Sequence, residues 1–227
     1  MIDYVYKLES KFRDQANPEY AQYMKAYMRN KFEYLGIKSP ERRELSKPFL
    51  TRHSLPPTEQ VWSIIQELWD QPEREFQYFA MELIAKYKRS VNKDWIGNYE
   101  NLIISKSWWD TVDFIAATLV GHYFKMFPEM TEKITRHWMR SGNIWLQRTC
   151  LIFQLKYKDD VNTELLSSFM KELCVSKEFF IEKAIGWALR EYSKRNPSWV
   201  FDFVQNNTLQ PLSRRESMRL IIKKDPE

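Results

Sequence analysis

An all-α solenoid of two-helix repeats is the fold this sequence predicts, and three observations predict it. Four ungapped segments recur at one interval: REFQYFAMELIAKYK from Arg74, WDTVDFIAATLVGHY from Trp109, IWLQRTCLIFQLKYK from Ile144 and FFIEKAIGWALREYS from Phe179, each starting 35 residues after the last. A fixed period of this length marks stacked helical repeats. Apolar residues return every three or four positions almost throughout, and no stretch keeps the alternation of a strand. Only five glycines occur in 227 residues, each isolated, too few for the tight turns of a many-stranded β protein.

The elements follow from local signals. Residues 18–35 read as one helix, with Asn17 as N-cap, Pro18 at the first position and Gly36 just past the end. Ser39-Pro40 opens the next helix in the same way. Further starts fall at Pro57, Pro72, Asn92, Ser107, Pro128, Asn143, Ser176 and Pro197. Ser213 and Glu216 have the spacing of a capping box for a last helix. The result is about a dozen helices, roughly 10–18 residues each, joined by short turns. No low-complexity linker interrupts them, so residues 1–227 read as a single domain. The C-terminal KKDPE is polar and is expected to fray.

The repeat register brings two sets of residues to shared positions. Tyr87, Tyr157 and Tyr192 align, with His122 as the fourth member. Tyr78, Asp113, Arg148 and Lys183 share another position. A position that is core in one repeat should be core in all, and this one holds a phenol, a carboxylate, a guanidinium and an ammonium. It is either solvated surface or the face that lines the continuous concave groove of a solenoid.

Composition excludes several classes. With Gly36, Gly97, Gly121, Gly142 and Gly186 all isolated, neither a dinucleotide fingerprint nor a Walker loop exists. Cys150 and Cys174 lie in apolar helical runs and read as small buried hydrophobes. His53, His122 and His137 are scattered, with no metal-ligand spacing, so no metal is expected. MIDYVYKLESKF has no apolar signal core, and no run of about 18 apolar residues occurs, so a reduced, cytoplasmic protein is expected. The net charge of +5, from 35 basic and 30 acidic residues, permits a polyanionic partner without requiring one.

The chemistry gathers after Ser107. Trp109 and Asp113 are four apart and share a helix face. If Asp113 lines the groove, Trp109 does too, unless it packs between repeats, whereas Trp108 points elsewhere and is the core member of the pair. Arg148, one repeat on, is placed to reach Asp113. Trp187 follows Lys183 by four, on the groove side or in the core of its apolar run. Indole faces attract cations and stack on sugars and bases. A carboxylate between them would stabilise positive charge developing on a sugar, as in glycoside cleavage. Basic residues at successive helix ends would follow a phosphate backbone, or form ordinary solvated surface.

At these residues the sequence resembles the AlkD family, the HEAT-like-repeat alkylpurine DNA glycosylases. The resemblance rests on ANPEYAQYMKAYMRNKFEYLGIKSPERR (16–43), LWDQPEREFQ (68–77), KSWWDTVD (106–113), NIWLQR (143–148), LKYK (155–158) and SKEFFIEKAIGWALREY (176–192), and spans essentially the whole chain. It implies a stack of HEAT-like repeats curved around a basic concave face. It implies hydrolysis of the N-glycosidic bond of cationic alkylpurines, such as 3-methyladenine and 7-methylguanine, in double-stranded DNA. No cofactor is implied, and the lesion stays stacked rather than being flipped out. The family's catalytic carboxylate falls on Asp113, its sugar-contacting tryptophans on Trp109 and Trp187, and its arginine on Arg148, where a phosphate contact is expected. Tyr27, Arg42, Arg43, Lys156, Lys183 and Arg190 are the DNA-binding candidates, with Lys38 weaker, and a monomer is the expected state. The alternatives are a non-catalytic DNA-binding relative of the same fold and a protein-interaction scaffold.

Overall fold

The computed structural model describes residues 2–222; the KKDPE tail expected to fray lies outside them. The fold is all-α, and the chain divides into two compact units, Met1–Val91 and Asn92–Glu227.

In the first unit, α1 (Asp3–Arg13), α3 (Ser39–Ser46), α4 (Val61–Asp70) and α5 (Arg74–Ile84) enclose an apolar core. Val5, Leu8 and Phe12 meet Ile64, Leu68, Phe76 and Phe79 there, all fully buried. Phe12 stacks on Phe76 with ring centroids 5.6 Å apart and meets Phe79 edge-on at 6.2 Å. Such pairs add about 0.5–1.5 kcal/mol beyond area burial.

The helix expected over 18–35 ends early. Asn17 caps α2 (Pro18–Tyr27), its Oδ1 accepting from the Tyr20 amide at 2.9 Å, but the helix stops at Tyr27. Arg29 and Asn30 both adopt left-handed φ of 56°, and the Asn30 amide reaches back to the Lys25 carbonyl at 2.8 Å. That six-to-one closure terminates a helix. Residues 33–37 then run as a strap over the start of α5. Glu75, fully buried, accepts hydrogen bonds from the Leu35, Gly36 and Ile37 amides at 3.1, 2.9 and 3.2 Å. Burial pushes the Glu75 carboxyl above its ordinary range, and these amides pull it back. Gly36 does take a positive φ, +85°, but it serves the strap rather than a helix end.

The second unit holds α6 (Trp95–Ile104), α7 (Trp109–Phe114), α8 (Gly121–Met126), α9 (Pro128–Arg140), α10 (Ile144–Ile152), α11 (Thr163–Leu173), α12 (Phe179–Tyr192), α13 (Pro197–Asn206) and α14 (Pro211–Met218). A π-helical stretch, Ile115–Val120, joins α7 to α8 without a break. The repeat helices α5, α7, α10 and α12 begin at Arg74, Trp109, Ile144 and Phe179, the four starts of the repeat. α10 packs on α6 and α7 of the preceding layer, on its partner α9, and on α11 and α12 of the next; α12 in turn packs on α13 and α14. Within the second unit successive repeats thus bury their apolar stripes against one another, which is how a solenoid is stabilised.

Asn143 caps α10 as expected, accepting from the Trp145 and Leu146 amides at 2.9 and 3.3 Å. α11 lacked an expected start; Asn162 caps it through the Leu165 amide at 2.9 Å. The Ser213–Glu216 capping box is not formed. Pro211 begins α14 two residues earlier, and buried Ser213 donates to the Glu182 carbonyl at 3.0 Å.

Candidate active site

The N-terminal ends of three successive repeat helices build the site. Trp108, Trp145 and Phe180 interlock beneath it, with centroids 5.7 Å apart for Trp108–Trp145 and 4.9 Å for Phe180 to either indole. Trp108 is buried, as the core member of the Trp108–Trp109 pair, while Trp109 opens α7 half-buried. Neither Trp145 nor Phe180 stands out in sequence, because each lies in an apolar run where any core residue would look the same.

One helical turn beyond Trp109 sits Asp113. Arg148 donates to it twice: Nε to Oδ1 at 2.7 Å and Nη2 to Oδ2 at 2.8 Å. The third nitrogen, Nη1, donates to the Phe180 carbonyl at 2.5 Å. Arg148 therefore ties α7, α10 and α12 together through one planar group, a geometry that lysine cannot reproduce. The Arg148 side chain is only 5% exposed and Asp113 17%. The guanidinium expected to meet a phosphate thus faces a carboxylate and a carbonyl inside the protein instead. Burial pushes the Asp113 carboxyl above its ordinary range; Arg148 opposes that shift, and the nearby Asp110 adds to it.

Trp187 lies half-buried on α12, one turn after Lys183. Lys183 and Arg190 both pair with Glu216 of α14, at 3.2 Å for Lys183 Nζ to Oε1, with Arg190 Nη1 on Oε2. Glu216 was legible only as a cap, since nothing in the sequence says which helix α14 packs against. Lys156 is exposed and donates to Thr118 Oγ1 at 2.7 Å.

The remaining candidates belong to the first unit. Tyr27 ends α2 and is 75% exposed. Arg43 is exposed and donates Nε to the Ser39 carbonyl at 3.2 Å. Arg42, expected on a phosphate-facing rim, is buried; its guanidinium pairs with Glu82 at 2.9 Å and lies over the Tyr78 ring. Tyr78 itself shares a 3.2 Å hydrogen bond with Tyr34.

Among the described residues no helix is long and apolar enough to cross a membrane. The arrangement offers a carboxylate fixed at both oxygens by one buried guanidinium.

The family model described as DNA alkylation repair enzyme matches residues 8–221. A solved structure, a predicted DNA alkylation repair enzyme from Enterococcus faecalis, is similar over 92% of this chain and 97% of its own, with 34% identity and a TM-score of 0.85. No match was found among curated proteins.

Proposed function

The chain belongs to the DNA alkylation repair enzyme family, and from that membership we propose that it is a monofunctional DNA glycosylase of base excision repair. Its substrates are cationic N3- and N7-alkylated purines, such as 3-methyladenine and 7-methylguanine, in duplex DNA. The observation that carries this reading is the Asp113 carboxylate, fixed by two hydrogen bonds from Arg148, one helical turn after Trp109.

An alkylated purine of this kind carries a positive charge and leaves as a neutral base, so no general acid is needed at the leaving group. As the C1′–N bond breaks, positive charge moves onto the deoxyribose. Asp113, ionised, stabilises that charge and orients the attacking water. Trp109 and Trp187 pack on the sugar, where cation–π attraction strengthens as the charge develops. Arg148 acts behind the carboxylate, holding its charged form and its orientation. Tyr27, Arg43, Lys156, Lys183 and Arg190 contact phosphates and position the duplex. The lesion need not leave the stack, because recognition is through the sugar. The protein acts as a monomer in the cytoplasm, through HEAT-like repeats and without a cofactor.

Lys183, in repeat register with Asp113, is engaged by Glu216 rather than free to attack a sugar carbon. Borohydride treatment during turnover is expected to trap no covalent DNA adduct.

The test is release of free base from a duplex carrying one 7-methylguanine, comparing wild type with Asp113→Asn. Release by wild type and a large loss in the variant supports the reading. Equal release by both moves the chemistry to another residue. Tight duplex binding without release makes the protein a non-catalytic DNA binder, and neither binding nor release leaves a protein-interaction scaffold. A duplex with a neutral lesion is expected to be a poor substrate, because its base cannot leave without protonation.

A further inference from the structure

Beside Trp187, α14 approaches α12 through Gly186. A Cβ built at Gly186 would lie 2.6 Å from the Glu216 Cβ and 3.1 Å from the Ser213 carbonyl oxygen. Only glycine lets α14 come this near to α12, and the approach places the Glu216 carboxylate between Lys183 and Arg190. Lys183, Trp187 and Arg190 stand at i, i+4 and i+7, so they share one face of α12. The carboxylate is 13% exposed, against 40% for the Lys183 side chain and 25% for Arg190. Arg219, one turn after Arg190's partner on the same segment, adds a third positive charge that favours ionised Glu216. The cluster of Lys183, Arg190 and Glu216 carries one net positive charge where the two cations alone would carry two.

We propose that Glu216 is a specificity-determining residue: an internal counter-anion that occupies Lys183 and Arg190 on either side of Trp187 and so limits the protein's grip on undamaged duplex. The proposal rests on the duplex-DNA reading above. A phosphate that engages either cation must compete with a carboxylate already in place. Sequence-independent affinity, which comes from phosphate neutralisation, is lowered accordingly. What remains to favour a damaged site is the charge on the sugar and base, which Trp187 and the Asp113 carboxylate read.

The experiment measures binding to an undamaged duplex as a function of salt, for wild type, Glu216→Gln and the triple variant Glu216→Gln/Lys183→Gln/Arg190→Gln. Glutamine keeps the shape of the side chain and removes its charge. Glu216→Gln is expected to bind about five- to tenfold more tightly near 0.1 M salt, with a log–log salt slope more negative by about 1–2. The triple variant is expected to lose that gain. Unchanged affinity and slope in Glu216→Gln, weaker binding, or a gain that survives in the triple variant would each overturn the proposal. Should Glu216→Gln fail to fold, Glu216→Ala, which also removes the charge, takes its place. Tighter binding with a steeper salt slope is again expected, and unchanged or weaker binding overturns the proposal. A wild type that binds no duplex removes this inference and the functional reading together, whereas failure of Glu216→Gln alone leaves base release untouched.

Discussion

Arg148 Nε and Nη2 meet Asp113 Oδ1 and Oδ2 at 2.7 and 2.8 Å, across one full repeat. The fork fixes both oxygens of the carboxylate, and the third guanidinium nitrogen is held by the Phe180 carbonyl. The carboxylate's orientation comes from the repeat stack, since partners on three different helices must be in register for the group to close.

Asp113→Asn should separate activity from stability. A carboxyl whose folded-state pKa is raised contributes stability that is fully present below its ordinary value of 3.8. That contribution is lost as pH rises through the higher folded-state pKa. At pH 7 asparagine relieves that burial cost but accepts from only one Arg148 nitrogen and leaves the buried guanidinium without its counter-charge, so the melting temperature should fall modestly. Base release should fall by about 100- to 1000-fold, the scale of losing one preorganised electrostatic contact. A thermal melt and a single-turnover rate on the same preparation check both halves.

For the same reason the pH–rate profile of the wild type should carry an acid limb. Release requires ionised Asp113, so the rate should climb as pH rises through a pKa above 3.8 rather than at it. Single-turnover rates from about pH 4 upward locate the limb. A flat profile across that range speaks against Asp113.

Arg148→Met should destabilise more than Asp113→Asn at neutral pH. It leaves a buried carboxylate without its partner, which costs about 3–5 kcal/mol at neutral pH. The deficit should shrink at low pH as Asp113 takes up its proton. Urea melts of wild type and variant at two pH values measure it, and base release should be lost in parallel.

Trp108→Ala and Trp109→Ala, adjacent in sequence, should give unlike phenotypes. Trp108 is buried against Trp145 and Phe180, so its truncation should cost about 3–5 kcal/mol of stability. Trp109 is half-buried. Its truncation should leave the fold largely intact and slow base release by up to about 30-fold, the equivalent of about 2 kcal/mol of cation–π stabilisation. Trp187→Ala should resemble Trp109→Ala. Equal melting temperatures for the Trp108 and Trp109 variants would overturn the assignment.

Gly36→Ala tests the strap. The added Cβ would lie 2.1 Å from the Asn17 carbonyl oxygen and 2.6 Å from the Ala21 amide nitrogen, at a φ of +85°. α2 buries none of its own residues, so its position depends on this junction. The variant should lose about 1–3 kcal/mol in urea, with amide exchange accelerated most in α2.

The helical repeat was open to reading because burial imposes it on composition. The apolar stripes at 74, 109, 144 and 179 face a core in every layer, so the period survives although identity between segments is low. The pairing of Trp109 with Asp113 followed from helical spacing. The end of α2 was not readable, since Arg29 and Asn30 take left-handed conformations that neither residue demands, and the strap after them is fixed by Glu75, 40 residues away. Ser213 and Glu216 misled because capping spacing is a local signal, whereas both side chains are used by α12, with Glu182, Lys183 and Arg190 as partners.

Sequence by itself determined the all-α class and the repeat with its register, whose segment starts at 74, 109, 144 and 179 coincide with the first residues of α5, α7, α10 and α12, whereas the starts read from Pro72, Ser107 and Ser176 lay two to three residues early. Those depend on periodicity and on capping, which act within a few residues along the chain. Tertiary structure alone decided that Arg148 turns inward to grip Asp113, that Arg42 is buried on Glu82, and that Glu216 stands between Lys183 and Arg190. A long charged side chain reaches whatever counter-charge the fold brings within about 3 Å. Which one that is depends on how helices distant in sequence are packed.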